Sequence, residues 1–191
     1  MFDLKSEEDQ ATETLINLDP DTLLGSAGAY WSTDRISSVW VHSLGFRGHW
    51  FLVSKYGIGI EFIGMTSRYH PEKYDNLPIP LMMSRWGASF EYSPTIRKRF
   101  HPNYILAIGR GKAEFDQSST DTDIENLKSK KFFWYLSPEI DTEVNLTKNV
   151  KLYGSMRYFI PFAIKGNKEI SNKDLSHISL LVGLRFGYTS L

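Results

Sequence analysis

Two polar side chains near the C-terminal end of the chain have the spacing of a catalytic pair. His177 and Ser179 are separated by one residue. A histidine that removes the proton of a serine hydroxyl makes its oxygen a nucleophile, which is the chemistry of acyl transfer and ester hydrolysis. Residues two apart in an extended strand point to the same face. The pair therefore raises acyl transfer or ester hydrolysis as a hypothesis, although no acidic residue stands at a matching position in the sequence to support it.

The segment that carries this pair has the alternation of a strand with two different faces. Every second residue from Ile178 to Tyr188 is apolar, and the positions between them include Gly183, Arg185 and Gly187. In a soluble sandwich the apolar face would lie inside, whereas in a transmembrane barrel it meets lipid and the small and charged residues fill the lumen. Glycines beside the charged positions indicate a crowded interior, which favours the transmembrane barrel. In that reading His177 and Ser179 both point into the lumen.

Composition limits the remaining function classes. The chain has 191 residues, with 22 basic and 22 acidic side chains, so no overall positive field exists to attract nucleic acid. No stretch approaches the ~20 apolar residues of a membrane-spanning helix, and the mean hydropathy of −0.30 is compatible with strands that are apolar on one side only. Residues 1–21 are acidic and polar and have no signal-peptide pattern. We expect them to form a flexible N-terminal segment, followed by a barrel over 22–191.

Turn signals divide the rest of the chain into eight alternating segments. Long polar connections at 70–79, 116–130 and 164–175 alternate with the tight turns 54–56 and 147–149, as in outer-membrane barrels. The pattern predicts an all-β, eight-stranded, antiparallel, up-and-down transmembrane β-barrel. The expected strands are 22–32, 38–53, 57–69, 80–93, 103–115, 131–146, 150–163 and 176–189.

The turn at 147–149 predicts a register for the sixth and seventh segments. Leu146 would lie opposite Val150, and one face of the pair would be apolar. The predicted apolar pairs are Val144 with Leu152, Ile140 with Met156, Leu136 with Ile160, and Trp134 with Phe162. The predicted polar pairs are Glu143 with Tyr153, Asp141 with Ser155, and Glu139 with Arg157.

The second and third segments have the same organisation. Arg47 and Glu61 share the polar face and are expected about one diagonal apart. Trp40 and Trp50 share the apolar face and are ten residues apart, a separation of ~25 Å along the axis of a barrel with tilted strands. This distance matches the height of the lipid-facing band between its two aromatic girdles.

These strands resemble the small eight-stranded outer-membrane barrels of the OmpA and OmpX type over residues 22–191. The most specific local element is Gly183-x-x-Phe186-x-Tyr188, which is similar to the C-terminal signal read by the barrel assembly machinery. The resemblance implies a bacterial outer membrane, periplasmic termini, external long loops, and two kinds of partner: outer-membrane lipid, and the assembly machinery during insertion. It also implies a charge network in the lumen. Its expected members are Arg47, Glu61, Arg85, Glu91, Glu139, Arg157 and Arg185.

Several further positions carry separate expectations. The membrane-interface aromatics are expected to be Trp40, Trp50, Tyr92, Trp134, Phe162 and Tyr188. His42 is expected on the lipid face near the outer rim. In segment 103–115, Arg110, Lys112 and Glu114 are expected inside, which would turn the small-residue face from Ile105 to Ala113 toward lipid or another envelope protein. The basic turn 95–101 is expected on the periplasmic side, where it meets lipid headgroups, a protein partner or only solvent, and the acidic loop 116–125 is expected outside.

Three functions are consistent with this sequence. The first is a non-catalytic structural or interaction component that acts through its loops or its outer surface. The second is a lipid-modifying barrel, because the His-x-Ser at 177–179 resembles that of the lipid A deacylases. The third is a soluble lipocalin-like barrel that binds an apolar ligand. No cofactor or metal is expected, since His49, His70 and His101 are dispersed.

Overall fold

The protein is a closed, eight-stranded antiparallel β-barrel in which each strand pairs with its neighbours in sequence and β1 also pairs with β8. The computed structural model describes residues 25–36, 39–53, 55–67, 81–95, 98–115, 130–147, 149–163 and 175–187. The strands are β1 (Gly25–Ile36), β2 (Val39–Val53), β3 (Tyr56–Met65), β4 (Leu81–Tyr92), β5 (Phe100–Phe115), β6 (Lys131–Asn145), β7 (Val150–Phe162) and β8 (His177–Gly187).

The two ends of the barrel differ in their connections. At one end, called the turn end, β1 begins, β8 finishes, and the neighbouring strands are joined across 54–55, 93–99 and 146–149. At the other end, called the loop end, the connections are 37–38, 66–80, 116–130 and 163–176. The predicted alternation of long and short connections is confirmed, with the two exceptions that the sequence also indicates: the loop-end link 37–38 is short, and the turn-end connection 93–99 is longer than the other two. The predicted segments 1–21, 70–79 and 116–125 lie outside the described residues.

Side chains alternate between an exposed apolar wall and a buried polar lumen. In β3, for example, Ile58, Ile60 and Phe62 are about half exposed, whereas Glu61 between them is fully buried. A wall of large exposed hydrophobic residues around a charged interior is the organisation of a barrel that spans a membrane. The hypothesis of a soluble lipocalin-like barrel is therefore wrong, because it requires the apolar faces to lie inside. Among the described residues no helix has the length and apolar character needed to cross a membrane.

Several strand boundaries differ from those predicted; for example, β3 ends at Met65 rather than 69, and two further differences have an evident partner residue. β1 continues to Ile36 rather than ending near 32, because Asp34 points into the lumen and accepts a hydrogen bond from Ser43 at 2.6 Å. Its polar residues therefore belong to a strand and not to a turn. β5 begins at Phe100 rather than 103, and Phe100 pairs with Val144 of β6.

The register predicted for β6 and β7 is confirmed. Leu146 donates its backbone N–H to Val150 at 2.9 Å. The ladder contains Val144 with Leu152, Ile140 with Met156, Leu136 with Ile160, Trp134 with Phe162, Glu143 with Tyr153, Asp141 with Ser155, and Glu139 with Arg157.

The predicted diagonal offset between Arg47 and Glu61 is wrong, because the two residues lie directly opposite each other. A bulge between Phe51 and Val53 shifts the β2–β3 register near the turn. An extra residue in one strand changes all pairings beyond it by one position, and the sequence alone does not reveal where the bulge lies.

Candidate functional site

The middle of the lumen holds four paired charges, called the central quartet: Arg47, Glu61, Glu139 and Arg157. Arg47 binds Glu139 with two hydrogen bonds, Nη1 to Oε1 at 3.0 Å and Nη2 to Oε2 at 2.6 Å, and its Nη2 lies 3.1 Å from Glu61 Oε2. Arg157 donates from Nε to Glu139 at 2.8 Å and from Nη2 to Glu61 at 3.0 Å. All four side chains are buried, and their formal charges cancel, so that each ion has the partners that burial requires.

Uncharged side chains complete the coordination of the quartet. Tyr135 donates its hydroxyl to Glu61 at 3.1 Å, and Ser155 donates to Glu139 at 2.8 Å. The ring of Tyr30 lies 5.4 Å from the guanidinium carbon of Arg47 and 5.5 Å from that of Arg157. The aromatic face stabilises both cations in addition to the carboxylates. The quartet therefore cross-links strands β2, β3, β6 and β7 through the middle of the barrel.

A second group, the turn-end cluster, is centred on Arg185 and the carboxylates Glu91, Asp141 and Glu143. Arg185 lies 2.8 Å from Glu91, 2.6 Å from Glu143 and 3.6 Å from Asp141. Three further basic side chains contact the same carboxylates. Lys151 lies 3.4 Å from Glu143, His101 lies 3.0 Å from Glu143, and His49 lies 2.9 Å from Glu91.

The loop-end cluster, Asp34, Arg85, His177 and Ser179, is organised differently. Arg85 lies 4.4 Å from the centroid of the Phe159 ring, and among the described residues no carboxylate oxygen lies within 4 Å of its guanidinium nitrogens. His177 stacks on the same ring at 4.9 Å. Buried apolar side chains surround the cluster and fill this end of the lumen. They include Ile36, Val41, Met65, Leu81, Met83, Phe133 and Leu175.

The structure places an acid beside the His-x-Ser pair, which the sequence did not indicate. Asp34 of β1 lies directly opposite Ser179 of β8, and its Oδ1 is 3.8 Å from His177 Nε2. All three side chains point into the lumen and are buried. His177 binds the carbonyl of Leu175 through Nδ1 at 2.7 Å, and no hydrogen bond joins it to Ser179 among the described contacts. In a serine hydrolase the base contacts the nucleophile, whereas here His177 binds the Leu175 carbonyl and does not contact the Ser179 hydroxyl.

All seven predicted lumen charges are buried in the interior. Six of them belong to the central quartet or the turn-end cluster, and Arg85 belongs to the loop-end cluster. Sequence reasoning placed Asp141, Glu143 and His177 on the lumen face without assigning them to the charge network. It missed the remaining charged and titratable members, Asp34, His49, His101 and Lys151. The sequence did contain a signal for them: each lies an even number of residues from another lumen-facing residue of its strand, and therefore on the same face. In the described part of the chain, no group of three metal-ligating residues is arranged to hold a metal ion.

Strand β5 faces the opposite way from the prediction. Arg110, Lys112 and Glu114 point outward, and the small-residue face points into the lumen. A Cβ on Gly111 would lie 2.1 Å from the ring of Phe133. The small residues make room for the large aromatic side chains of β6, and this packing overrides the expectation that charges lie inside.

The predicted interface aromatics that the structure describes all lie on the outer wall: Trp40, Trp50, Tyr92, Trp134 and Phe162. Tyr188 lies outside the described residues. At the turn end, Tyr56, Tyr92 and Tyr104 form a stacked row across three strands, with centroids 5.1 Å and 6.3 Å apart.

The remaining predicted positions are His42, the assembly signal and the basic turn. His42 is on the outer wall, as expected, half-buried against Trp31 at 5.2 Å. Of the assembly signal, Gly183 faces inward, where a Cβ would meet the Tyr153 ring at 2.7 Å, and Phe186 faces outward. In the basic turn, Lys98 and Arg99 are exposed, whereas residues 96 and 97 lie outside the described residues.

Solved structures give the architecture an independent reference. Neisserial surface protein A (NspA) superposes with a TM-score of 0.63 at 14% identity, covering 86% of this chain and 96% of that one. This chain has the fold of the small eight-stranded outer-membrane barrels. The N-terminal barrel domain of Pseudomonas aeruginosa OprF has a TM-score of 0.53 at 10% identity, covering 85% and 95%.

A third similar structure is Ail, the attachment invasion locus protein of Yersinia pestis, solved with the heparin analogue sucrose octasulfate. It has a TM-score of 0.52 at 14% identity and covers 85% of this chain and 96% of that one. No protein-family model and no curated protein sequence matches the chain. The predicted fold and the resemblance to small outer-membrane barrels are therefore confirmed at the level of architecture.

Proposed function

We propose that this protein is a non-catalytic barrel of the bacterial outer membrane that acts as a structural or interaction component through its loops and its outer wall. The observation that carries the proposal is the central quartet, whose four charges tie together strands on different sides of the lumen. Eight strands enclose a space that side chains nearly fill. A passage for solutes would require these ion pairs to be broken inside the barrel, which is strongly unfavourable.

The proposed topology places both termini and the turn end in the periplasm and the loop end outside the cell. The long connections at the loop end support this arrangement, because outer-membrane barrels have short periplasmic turns and longer extracellular loops. Another envelope protein is the kind of partner we propose for the loops. The barrel assembly machinery is the proposed partner during insertion, with Gly183, Phe186 and Tyr188 as its signal.

Single-cysteine labelling tests the topology, because the chain contains no cysteine. Ser119→Cys lies in the long connection 116–130, and Lys55→Cys lies in the turn between β2 and β3. A membrane-impermeant maleimide should label Ser119→Cys on intact cells, and should label Lys55→Cys only after the outer membrane is opened. The reverse pattern would show that the proposed orientation is wrong.

Transport and catalysis are tested separately. Vesicles that contain the protein should swell in small sugars no faster than empty vesicles, with a known porin as the positive control. For catalysis, the mass spectrum of outer-membrane lipids from cells expressing the wild type should equal that from cells expressing Ser179→Ala. A lipid product that appears with the wild type and disappears with Ser179→Ala would replace our proposal by the lipid-modifying enzyme.

A further inference from the structure

One arginine on the outer wall is positioned between two tryptophans. Arg110 of β5 pairs with Trp86 of β4 on one side and with Trp134 of β6 on the other, so the three side chains form a row across three strands. All three are exposed on the membrane-facing wall. The guanidinium carbon of Arg110 lies 5.4 Å from the Trp134 ring. The aromatic face stabilises the charged end of the side chain against the wall.

In the described part of the chain, no carboxylate pairs with Arg110. The charged side chains that point outward from described strands are Arg35, Arg110, Lys112 and Glu114. Glu114 lies 2.6 Å from Lys112, so its carboxylate is already in an ion pair. The other described strand carboxylates are buried in the lumen. This leaves an exposed positive charge on a wall that otherwise contacts lipid.

The position of Arg110 along its strand sets its depth in the membrane. Phe100, Tyr104, Leu106 and Ile108 lie below it on the same outward face and are exposed. Arg110 lies on the loop-end side of the tyrosine row that contains Tyr104, and it shares its own row with Trp86 and Trp134. Tryptophan rings are concentrated at the boundaries of the apolar band. Arg110 therefore lies at the loop-end boundary of this band. Headgroup phosphates lie at this depth, and a cation is far less unfavourable there than at the midplane.

We propose that the Trp86–Arg110–Trp134 row binds the phosphate group of a lipid headgroup in the leaflet at the loop end. The planar guanidinium donates two parallel hydrogen bonds to phosphate oxygens, a geometry that ammonium groups do not provide. Lys112 lies two residues further along the same face, but its charge is compensated by Glu114, so Arg110 is the cation of the proposed site. The proposal depends on the transmembrane fold and is independent of whether the barrel is catalytic or conducts solutes.

Arg35 supplies a matched control within the same wall. It also faces outward at the loop end and lies over a tryptophan, with its guanidinium carbon 5.7 Å from the Trp40 ring. Its other neighbour is Ile178 of β8 rather than a second tryptophan. Arg35→Gln therefore removes the same charge and the same kind of ring contact without altering the proposed site.

The test measures lipid binding to protein folded in a neutral detergent, by native mass spectrometry. The probes are lipid A with two phosphate groups and the same lipid after enzymatic removal of its phosphates. We expect Arg110→Gln to weaken binding of the phosphorylated lipid about tenfold, as loss of a charge-assisted hydrogen-bonded pair predicts. We expect Arg35→Gln to change it less than twofold. Wild type and Arg110→Gln should bind the dephosphorylated lipid equally.

Three results would overturn the proposal. Equal losses for Arg110→Gln and Arg35→Gln would mean general charge attraction. A tenfold loss that persists with the dephosphorylated lipid would mean that phosphate is not the group recognised. Unchanged lipid binding, with a lower unfolding midpoint of Arg110→Gln in lipid-free detergent, would mean that a carboxylate of the chain itself binds the guanidinium. If Arg110→Gln fails to fold, Arg110→Lys replaces it. This variant keeps the positive charge but loses the two parallel N–H donors of the guanidinium. We expect a smaller loss of binding to the phosphorylated lipid, and the same three results would overturn the proposal.

Discussion

The two ends of the lumen accommodate buried arginines in different ways. In the central quartet and the turn-end cluster, each arginine lies against two or three carboxylates. At the loop end, Arg85 lies over the ring of Phe159 among apolar side chains. In the first arrangement each arginine directly contacts several carboxylates. In the second, the arginine lies on an aromatic face and shares its cluster with one carboxylate, Asp34, that it does not directly contact. A filled barrel interior can therefore be stabilised mainly by ion pairing in one region and mainly by packing in another.

This comparison predicts different responses to mutation. Removing one member of an ion-pair network leaves the others buried without compensation, so the effect should be large and electrostatic. Changing the volume of a packed region produces a smaller effect that depends on how far the neighbouring side chains can shift. The variants below begin with the network and end with the least connected charge.

Glu139→Ala is expected to have the largest effect. The change removes the carboxylate that binds both Arg47 and Arg157, and it leaves two buried cations with one anion. We expect the free energy of unfolding to fall by about 3–5 kcal/mol, measured by urea titration of protein folded in phospholipid vesicles.

Glu114→Ala is the control for this prediction. It removes a carboxylate that is paired with Lys112 on the outer wall, and the side chains of this pair are 38% and 30% exposed. Exposed ion pairs contribute little, so a decrease below about 1 kcal/mol is expected. Similar decreases for the two variants would contradict the interpretation that ion pairing stabilises the middle of the lumen.

Gly111→Ala tests packing at the loop end. Its Cβ would approach two ring carbons of Phe133 to 2.1 Å, so the ring must move. We expect a loss of about 1–3 kcal/mol in the same urea titration. Gly64→Ala, where no atom lies within 4 Å of the new Cβ, should be nearly neutral. The inward orientation of β5 would be wrong if the two alanine variants had equal stability.

Arg85→Met is expected to have a smaller effect than any loss from the central quartet. Methionine fills a similar space beside Phe159, and Asp34 keeps the hydrogen bond from Ser43 but loses the arginine of its cluster. We expect the free energy of unfolding to fall by about 1–2 kcal/mol. Arg157→Met, measured in parallel, should cost several times more, because it leaves Glu61 and Glu139 with one arginine. Comparable losses would mean that the loop end is also an ion-pair network.

Local signals made the β6–β7 hairpin predictable. The short turn at 147–149 fixed the register, and the charges of Glu139 and Arg157 on one face agreed with the apolar pairs on the other. In β5 the charged residues and the apolar residues of the same face gave conflicting predictions. Arg110 and Lys112 suggested an inward face, whereas Leu106 and Ile108 on the same face indicated lipid, and the volume of Phe133 on the neighbouring strand decided the orientation.

The missing acid beside Ser179 illustrates a limit of reading along the chain. Asp34 and Ser179 are neighbours only because β1 pairs with β8 when the sheet closes. Spacing within one strand contains no information about that contact. The shifted β2–β3 register had a similar origin, since the bulge between Phe51 and Val53 depends on backbone geometry near the turn rather than on a recognisable residue pattern.

The closing contact between the first and last strands has a consequence for synthesis of the chain. At this seam Gly187 has a φ of 130°, and a Cβ there would lie 2.2 Å from the carbonyl oxygen of Gly25. Until β8 is available, β1 and β7 both present unpaired backbone groups, which cannot be left exposed to hydrocarbon. A nascent chain that ends before His177 therefore has no stable partly inserted form. Completion of the polypeptide must precede its final entry into the bilayer.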